Sequence, residues 1–429
     1  MRGGVMVHRA LRGSTVVGTA GFCLNMVLGL VYAWSLFAGP LQDAFGGTAV
    51  DTSRIFSVSM MGLCLGHLAS GWLSPRTSPR FVMLLAAGFA AVGFAGSALA
   101  ASYGWLTVSY GVCCGFATGM GANCVLNSVL PWFSNRKGAA SGVLLAGVGL
   151  GPLVLGPVVG ALIAQAGWRT AFAAMAVVAG GMLAAGSLVL RQPSTGGMLA
   201  RANAAEGDDL TPSDSSEAVS DVDTPNAAAS LGTREMLRTR AFWTLFCWIS
   251  LVSSGGLALI SNAVPAALDV MGTREAWAVM AATGAMGALS GFNSVGRLVA
   301  GGLWDRLGSR GAMAAVSLAF AVSMVLCAAA QELGSFPLVV AGFLLLGAAY
   351  GGSVSVESAF VGQYFGLRHY AMNYAVATLN VLVASCIGPT ISGFSRALTG
   401  GYLPAYVILL AVALLSLGLA VCFRGESSR

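Results

Sequence analysis

The chain has 429 residues, of which 56% are hydrophobic and only 9% charged, and its mean hydropathy is +0.80. A soluble domain carries roughly 25% charged residues, so the composition excludes a water-soluble fold. The net charge of +6 comes from 22 basic residues scattered through short gaps between apolar runs, which excludes a nucleic-acid-binding patch.

A membrane-crossing helix needs about 20 mainly apolar residues. In chain order such runs fall near 14–41, 55–74, 81–101, 105–131, 139–165 and 170–190, then near 241–267, 277–303, 311–330, 337–364, 370–395 and 403–423. The basic start, Arg2 to Arg12, precedes an apolar stretch too long for a signal peptide, so that stretch is expected as the first span. The fold class expected is an all-α membrane protein with twelve transmembrane helices in two pseudo-symmetric six-helix bundles. The bundles are assigned to 1–190 and 241–429, joined by a flexible cytoplasmic linker at 191–240. That linker holds half of all 16 acidic residues among Ser, Thr, Pro and Ala, a composition that cannot bury enough apolar surface to order itself. A tether is the plain reading of it, and a regulatory role the sharper one.

Seventeen Lys and Arg fall on the side that carries both termini and the linker, against four on the other, Arg54, Arg169, Arg274 and Arg396. The positive-inside rule therefore places both termini in the cytoplasm of a cell in whose inner or plasma membrane the protein sits. The two halves also repeat each other. Gly71–Arg80 (GWLSPRTSPR) follows the second span and Gly301–Arg310 (GGLWDRLGSR) the eighth, 230 residues later. At an offset of 232, Gly119 meets Gly351, Phe133 meets Phe365, Arg136 meets Arg368, and Gly156-Pro157 meets Gly388-Pro389. Duplicated halves are how carriers expose a central site to each side in turn.

The pattern G-x-L-x-D-R-x-G-x-R at Gly301–Arg310 resembles the signature of the major facilitator superfamily; the first-half copy departs from it, with Pro75 in place of the aspartate. More narrowly, the chain is similar to the oxalate:formate antiporter family. The similar segments are Gly29–Phe37 (GLVYAWSLF), Trp132–Gly142 (WFSNRKGAASG), Glu235–Trp243 (EMLRTRAFW), Asn262–Pro265, Phe292-Asn293 with Arg297, and Asn373-Tyr374. The resemblance implies that a carboxylate is held by a basic residue on helix 8, which is Arg297 here. The second basic position of that family, on helix 11, is Val381. Aromatic positions around the substrate are replaced by Ala122, Val148 and Val354, while Tyr32 is kept. One arginine facing two negative charges is a poor match, so a monocarboxylate such as formate, pyruvate or lactate is expected, carried by antiport or with a proton. An oxalate/formate exchanger is the alternative.

Several residues carry this expectation, each with a plainer reading beside it. Arg297 is an intramembrane charge, costing at least about 2.5–3.5 kcal/mol at a helix centre, so it should face a cavity or a partner. Its planar fork suits a carboxylate. A structural pair with Glu357, as in a carrier of a neutral solute, or snorkelling to the nearby interface, are the other readings. Glu357, the only acidic residue deep in a span, and His67 are candidate proton-coupling groups; either could instead be a hydrogen-bonded packing residue. Tyr32 is a candidate substrate contact or a packing aromatic. Asp305, Arg306, Arg310 and Arg136 are candidate gating charges at helix ends, for which simple topology explains the arginines but not the aspartate.

No metal-ligand or paired-carboxylate spacing occurs within the spans, and the nine cysteines lie in apolar runs without CxxC spacing. The glycine-rich run at Gly147–Pro152 has no preceding strand and no Lys-Ser/Thr after it, which excludes a phosphate loop. No cofactor and no enzyme activity is expected. The expected partners are a small organic anion, protons and the lipid bilayer, with the protein a monomer; a non-transporting membrane sensor is the reading from another class.

Overall fold

The computed structural model describes residues 2–46, 49–190, 230–273 and 275–423. These residues are helical throughout the apolar runs, as they must be, because a backbone in lipid has to satisfy its own hydrogen bonds. Among these residues ten helices are long and apolar enough to cross a membrane, and two of them, Lys137–Ser187 and Met280–Leu333, are double. Gly167 (φ 83°) and Gly308 (φ 69°) divide these into two spans each, because only glycine takes left-handed backbone cheaply. Twelve spans result.

The first half holds α1 (Ser14–Trp34), α2 (Arg54–Leu73), α3 (Pro79–Ala98), α4 (Tyr103–Phe133), α5 (137–166) and α6 (168–187). The second holds α7 (Arg240–Met271), α8 (276–307), α9 (309–333), α10 (Phe336–Tyr364), α11 (Tyr370–Thr399) and α12 (Leu403–Cys422). Ordinary signals set the ends. Ser78 caps α3 by accepting from Phe81 N, Thr239 caps α7 by accepting from Phe242 N, and left-handed Gly272 and Gly400 close α7 and α11.

The repeat seen in the sequence reappears as packing. A Cβ placed at Gly66, Gly115 or Gly119 would collide with the backbone oxygen of Phe116, Ser59 or Leu63, where α2 and α4 touch. Gly296, Gly347 and Gly351 meet Ala348, Leu289 and Asn293 in the same way, where α8 and α10 touch. The small residues let each pair of helices approach backbone to backbone. The residue numbers differ by the same 230 and 232 found in the sequence, so α2–α4 and α8–α10 are one contact made twice. Under that relation His67 of α2 and Arg297 of α8 are equivalent positions.

The halves close on each other at one end, which we name the Asp305 end. There α5 runs against α8, with Gly138 against Gly301, Gly142 against the Arg297 carbonyl and Gly149 against Ser294. In parallel α2 runs against α11, with Gly71 against Ala371 and Met372, and Cys64 Sγ 3.8 Å from Thr378 O. The α5–α8 contact reaches Leu153 and Gly291. One and two turns further along the same face of α8, a Cβ at Gly287 or Gly284 would meet nothing within 4 Å, so there the helices have parted. At the opposite end Arg396 Nη2 pairs with Asp269 (3.3 Å), and its Nη1 donates to the Tyr402 hydroxyl at 2.7 Å, tying α7, α11 and α12 together inside one half.

The expected flexible linker differs in its last part. Residues 191–229 lie outside the described residues, but 230–240 are folded. Glu235 accepts from Gly232 N (2.8 Å) to start the short helix Thr233–Met236, Leu231 N donates to Phe365 O, and Asn373 of α11 holds Leu231 O and Thr233 Oγ1. The motif at Glu235 caps a turn that docks on the α10–α11 connection, which low hydropathy alone does not reveal.

Candidate functional site

Two helix breaks meet at the centre. In α1 the backbone tightens to a 3-10 helix over Gly29–Trp34, and α11 is interrupted between Ala377 and Asn380. Tyr32, from the first break, and Leu379, Val381 and Leu382, from the second, pack on Met60, Leu63 and Cys64 of α2. Such breaks beside a central site are a recurrent device of carriers. Val381, the position where the resemblance expects a second cation, therefore presents an isopropyl group to the cluster that holds Tyr32.

Arg297 is 7% exposed. Its Nη1 donates across the halves to Leu145 O of α5 (2.5 Å), while Nε is buried without a partner. Tyr32, Tyr350 and Tyr374 lie within electrostatic reach of the guanidinium. Among the described residues the one ion pair is Asp269–Arg396, so the arginine is paired with no carboxylate among them. One donor edge anchors it and another remains available.

Glu357 is 2% exposed and accepts from Asn380 Nδ2 at 2.7 Å, the asparagine that begins the second segment of α11. The anticipated Arg297–Glu357 pair is not formed in this conformation; each side chain has a different partner. His67 is 5% exposed, with its ring 5.5 Å from that of Tyr374 across the halves and its Nδ1 without a partner. Tyr374 thus stands beside His67 and within reach of both Arg297 and Glu357. It entered the sequence reading only as part of a motif; nothing in its own spacing marks it as central.

Asp305 sits where α8 ends against the start of α5. Its carboxylate accepts from Gly138 N (3.1 Å) and Ala139 N (2.8 Å), capping the α5 N-terminus from the other half. Lys137 makes the reciprocal contact, reaching Gly362 O near the C-terminal end of α10 at 3.4 Å. In the sequence Lys137 stands out only as part of the Trp132–Gly142 segment, because helix-end complementarity across halves is a tertiary fact. Arg306 and Arg310 are exposed, and neither touches this contact. The Arg136 side chain lies outside the described residues.

Comparison with known proteins follows the same line. The profile of the Major Facilitator Superfamily matches residues 16–389. An oxalate:formate antiporter of Oxalobacter formigenes is 25% identical over 398 residues, covering 92% of this chain and 87% of the relative. Human monocarboxylate transporter 11 is 25% identical over 402 residues, covering 92% and 79%. Among solved structures, the proton:xylose symporter XylE superposes with a TM-score of 0.71 at 13% identity, covering 94% of each chain. The transporter FucP in the outward conformation gives 0.65 at 15% identity, covering 95% of this chain and 98% of that one.

Proposed function

The chain belongs to the Major Facilitator Superfamily, a family of membrane carriers rather than enzymes, and from that premise we propose that it moves a small monocarboxylate by alternating access. The observation that carries the reading is Arg297, a buried arginine in a span with an unpartnered Nε and, among the described residues, no carboxylate paired with it. Its fork suits a carboxylate group, and Val381 leaves the site with a single fixed cation beside Tyr32. Formate, pyruvate and lactate match one positive charge, whereas oxalate would bury a second negative charge uncompensated. The names of the antiporter and monocarboxylate relatives support the same substrate class.

The Asp305 end is assigned to the cytoplasm by the distribution of basic residues, so the conformation described here faces outward. Asp305 and Lys137 then act as the cytoplasmic latch, each neutralising a helix end of the opposite half. Opening inward requires both contacts, and the Arg297–Leu145 bond, to break. An anion at Arg297 that replaces the Leu145 carbonyl is how binding would loosen the closed side.

The test is uptake of labelled formate, pyruvate, lactate and oxalate into proteoliposomes. Wild-type protein should take up the monocarboxylates in preference to oxalate, and Arg297→Ala should abolish the uptake. Carboxylate uptake undiminished in Arg297→Ala would overturn the assignment.

A further inference from the structure

The break in α1 that presents Tyr32 is held by residues outside α1. It starts where Gly29 lies against the Val148 carbonyl of α5, too close for a Cβ. Pro152, four residues on, has no N–H to offer that carbonyl. Two residues into the break, the Val31 carbonyl accepts a hydrogen bond at 2.6 Å from the hydroxyl of Tyr110, a fully buried side chain of α4. The Tyr110 ring also lies 4.4 Å from that of Trp34, the last residue of the break. Trp34 Nε1 in turn donates to Thr52 O (2.9 Å), just before α2.

Tyr110 itself comes from an irregular stretch. Over Thr107–Cys114 α4 is a π-helix, a rare form that is frequent at functional sites. The device is confined to the first half. At the offset of 232, Gly342 stands at the Tyr110 position, and α7, the counterpart of α1, runs as one α-helix over Arg240–Met271. A requirement of the fold would recur in both halves, whereas a task tied to Tyr32 would not. The difference in pitch sets what is at stake. A 3-10 helix turns by about 120° per residue and an α-helix by about 100°. Rewinding Gly29–Tyr32 as α-helix would therefore swing Tyr32 by about 60° around the axis and shift it by about 1.5 Å along it. That displacement is enough to take the ring off Met60, Leu63 and Cys64 and away from Arg297.

We propose that Tyr110 is a positioning residue of the substrate site: by holding the Val31 carbonyl it keeps α1 tightened over Gly29–Trp34, and so keeps Tyr32 beside Arg297. The inference rests on the reading of Arg297 and Tyr32 as the substrate site and deepens it by naming what sets their geometry. Tyr110 touches no substrate. Its effect passes through Val31, the residue next to Tyr32. Without the hydroxyl, the Val31 carbonyl is free to take the α-helical donor four residues on, the Ser35 N–H, and the break relaxes toward α-helix.

The experiment measures initial rates of labelled pyruvate uptake by the full-length protein in proteoliposomes over a range of concentrations, with the melting temperature of each variant alongside. Tyr110→Phe keeps the ring that packs on Trp34 and removes only the O–H. Its half-saturating concentration should rise about three- to tenfold, the factor carried by one buried hydrogen bond, with maximal rate and melting temperature near wild type. Tyr32→Phe should raise it as well, and the double variant should be no worse than Tyr32→Phe alone, because Tyr110 acts only through Tyr32. Tyr103→Phe removes a comparable bond, to Leu41 O (3.1 Å) beyond the break, and should leave half-saturation unchanged. A Tyr110→Phe protein that saturates like wild type overturns the proposal. So does a double variant in which the two losses multiply, or a Tyr103→Phe loss as large as that of Tyr110→Phe. Where Tyr110→Phe does not fold, Trp34→Phe, which removes the tie to Thr52, makes the same comparison against Tyr32→Phe. A Tyr32→Phe protein that saturates like wild type, or a wild type that takes up no pyruvate, overturns instead the substrate-site reading on which the proposal stands.

Discussion

At the residue scale the proposed anion site is one arginine and what surrounds it. Arg297→Lys keeps the charge but loses the planar fork that reaches the Leu145 carbonyl here and that suits a carboxylate in its place. Its apparent affinity for pyruvate should fall by about tenfold, or about 1.4 kcal/mol, measured as the ligand concentration that half-saturates a shift in melting temperature. Val381 sets the charge count. It packs on the Met60, Leu63 and Cys64 cluster that Tyr32 also joins, at the position where the resemblance expects a second cation. Val381→Lys should raise the ratio of oxalate to pyruvate uptake by on the order of tenfold, and an unchanged ratio would mean that this position does not face the substrate. Arg297 is legible in the sequence because a charge inside an apolar run stands out against its neighbours, whereas Val381 is one apolar residue among others and is marked only by the family resemblance. Tyr374 is not legible, since a tyrosine in a membrane helix has many uses and only the assembled helices show that it touches His67 and neighbours Arg297 and Glu357.

At the scale of elements, the proposed latch is a contact between a carboxylate and a helix terminus. Asp305 accepts from two backbone N–H groups at the start of α5, and Lys137 from that same start reaches the end of α10. Asp305 is exposed, so solvent screens much of the gain, and removing it should cost about 1–2 kcal/mol, or a 5- to 30-fold change in the balance of conformers. Spin labels at Thr77 and Arg368 in Asp305→Ala should show a new population of longer distances across the Asp305 end, whereas Arg310→Ala should leave the distribution unchanged. The sequence marks Asp305 as the acidic residue that topology does not explain, and the structure places it on the α5 N-terminus. It could not mark the partner, because a backbone N–H carries no side-chain signature. The breaks in α1 and α11 escaped notice for a similar reason. Gly29–Trp34 and Ala377–Asn380 contain no proline, and the apolar pattern runs through both.

At the scale of the whole molecule, the twelve spans and their twofold repeat were written in length, hydropathy and a constant offset, since lipid leaves few other ways to satisfy a backbone. The repeat carries more than architecture. It places His67 and Arg297 at equivalent depths in the two halves, each beside a glycine that lets α2 and α8 pack on α4 and α10. Which end is closed is a different kind of fact, decided by cross-half contacts rather than by either half alone. The closed stretch includes Ser294 of α8, 1% exposed against Gly149, while Gly287 on the same face meets nothing. In a background whose native cysteines are replaced, Gly287→Cys should react with a membrane-impermeant maleimide added outside intact cells, and Ser294→Cys should not. If pyruvate is carried as proposed, it favours the closing of the open side, and adding it should slow the labelling of Gly287→Cys. Labelling of Gly287→Cys only in inverted vesicles would place the Asp305 end outside and reverse the direction in which the latch works.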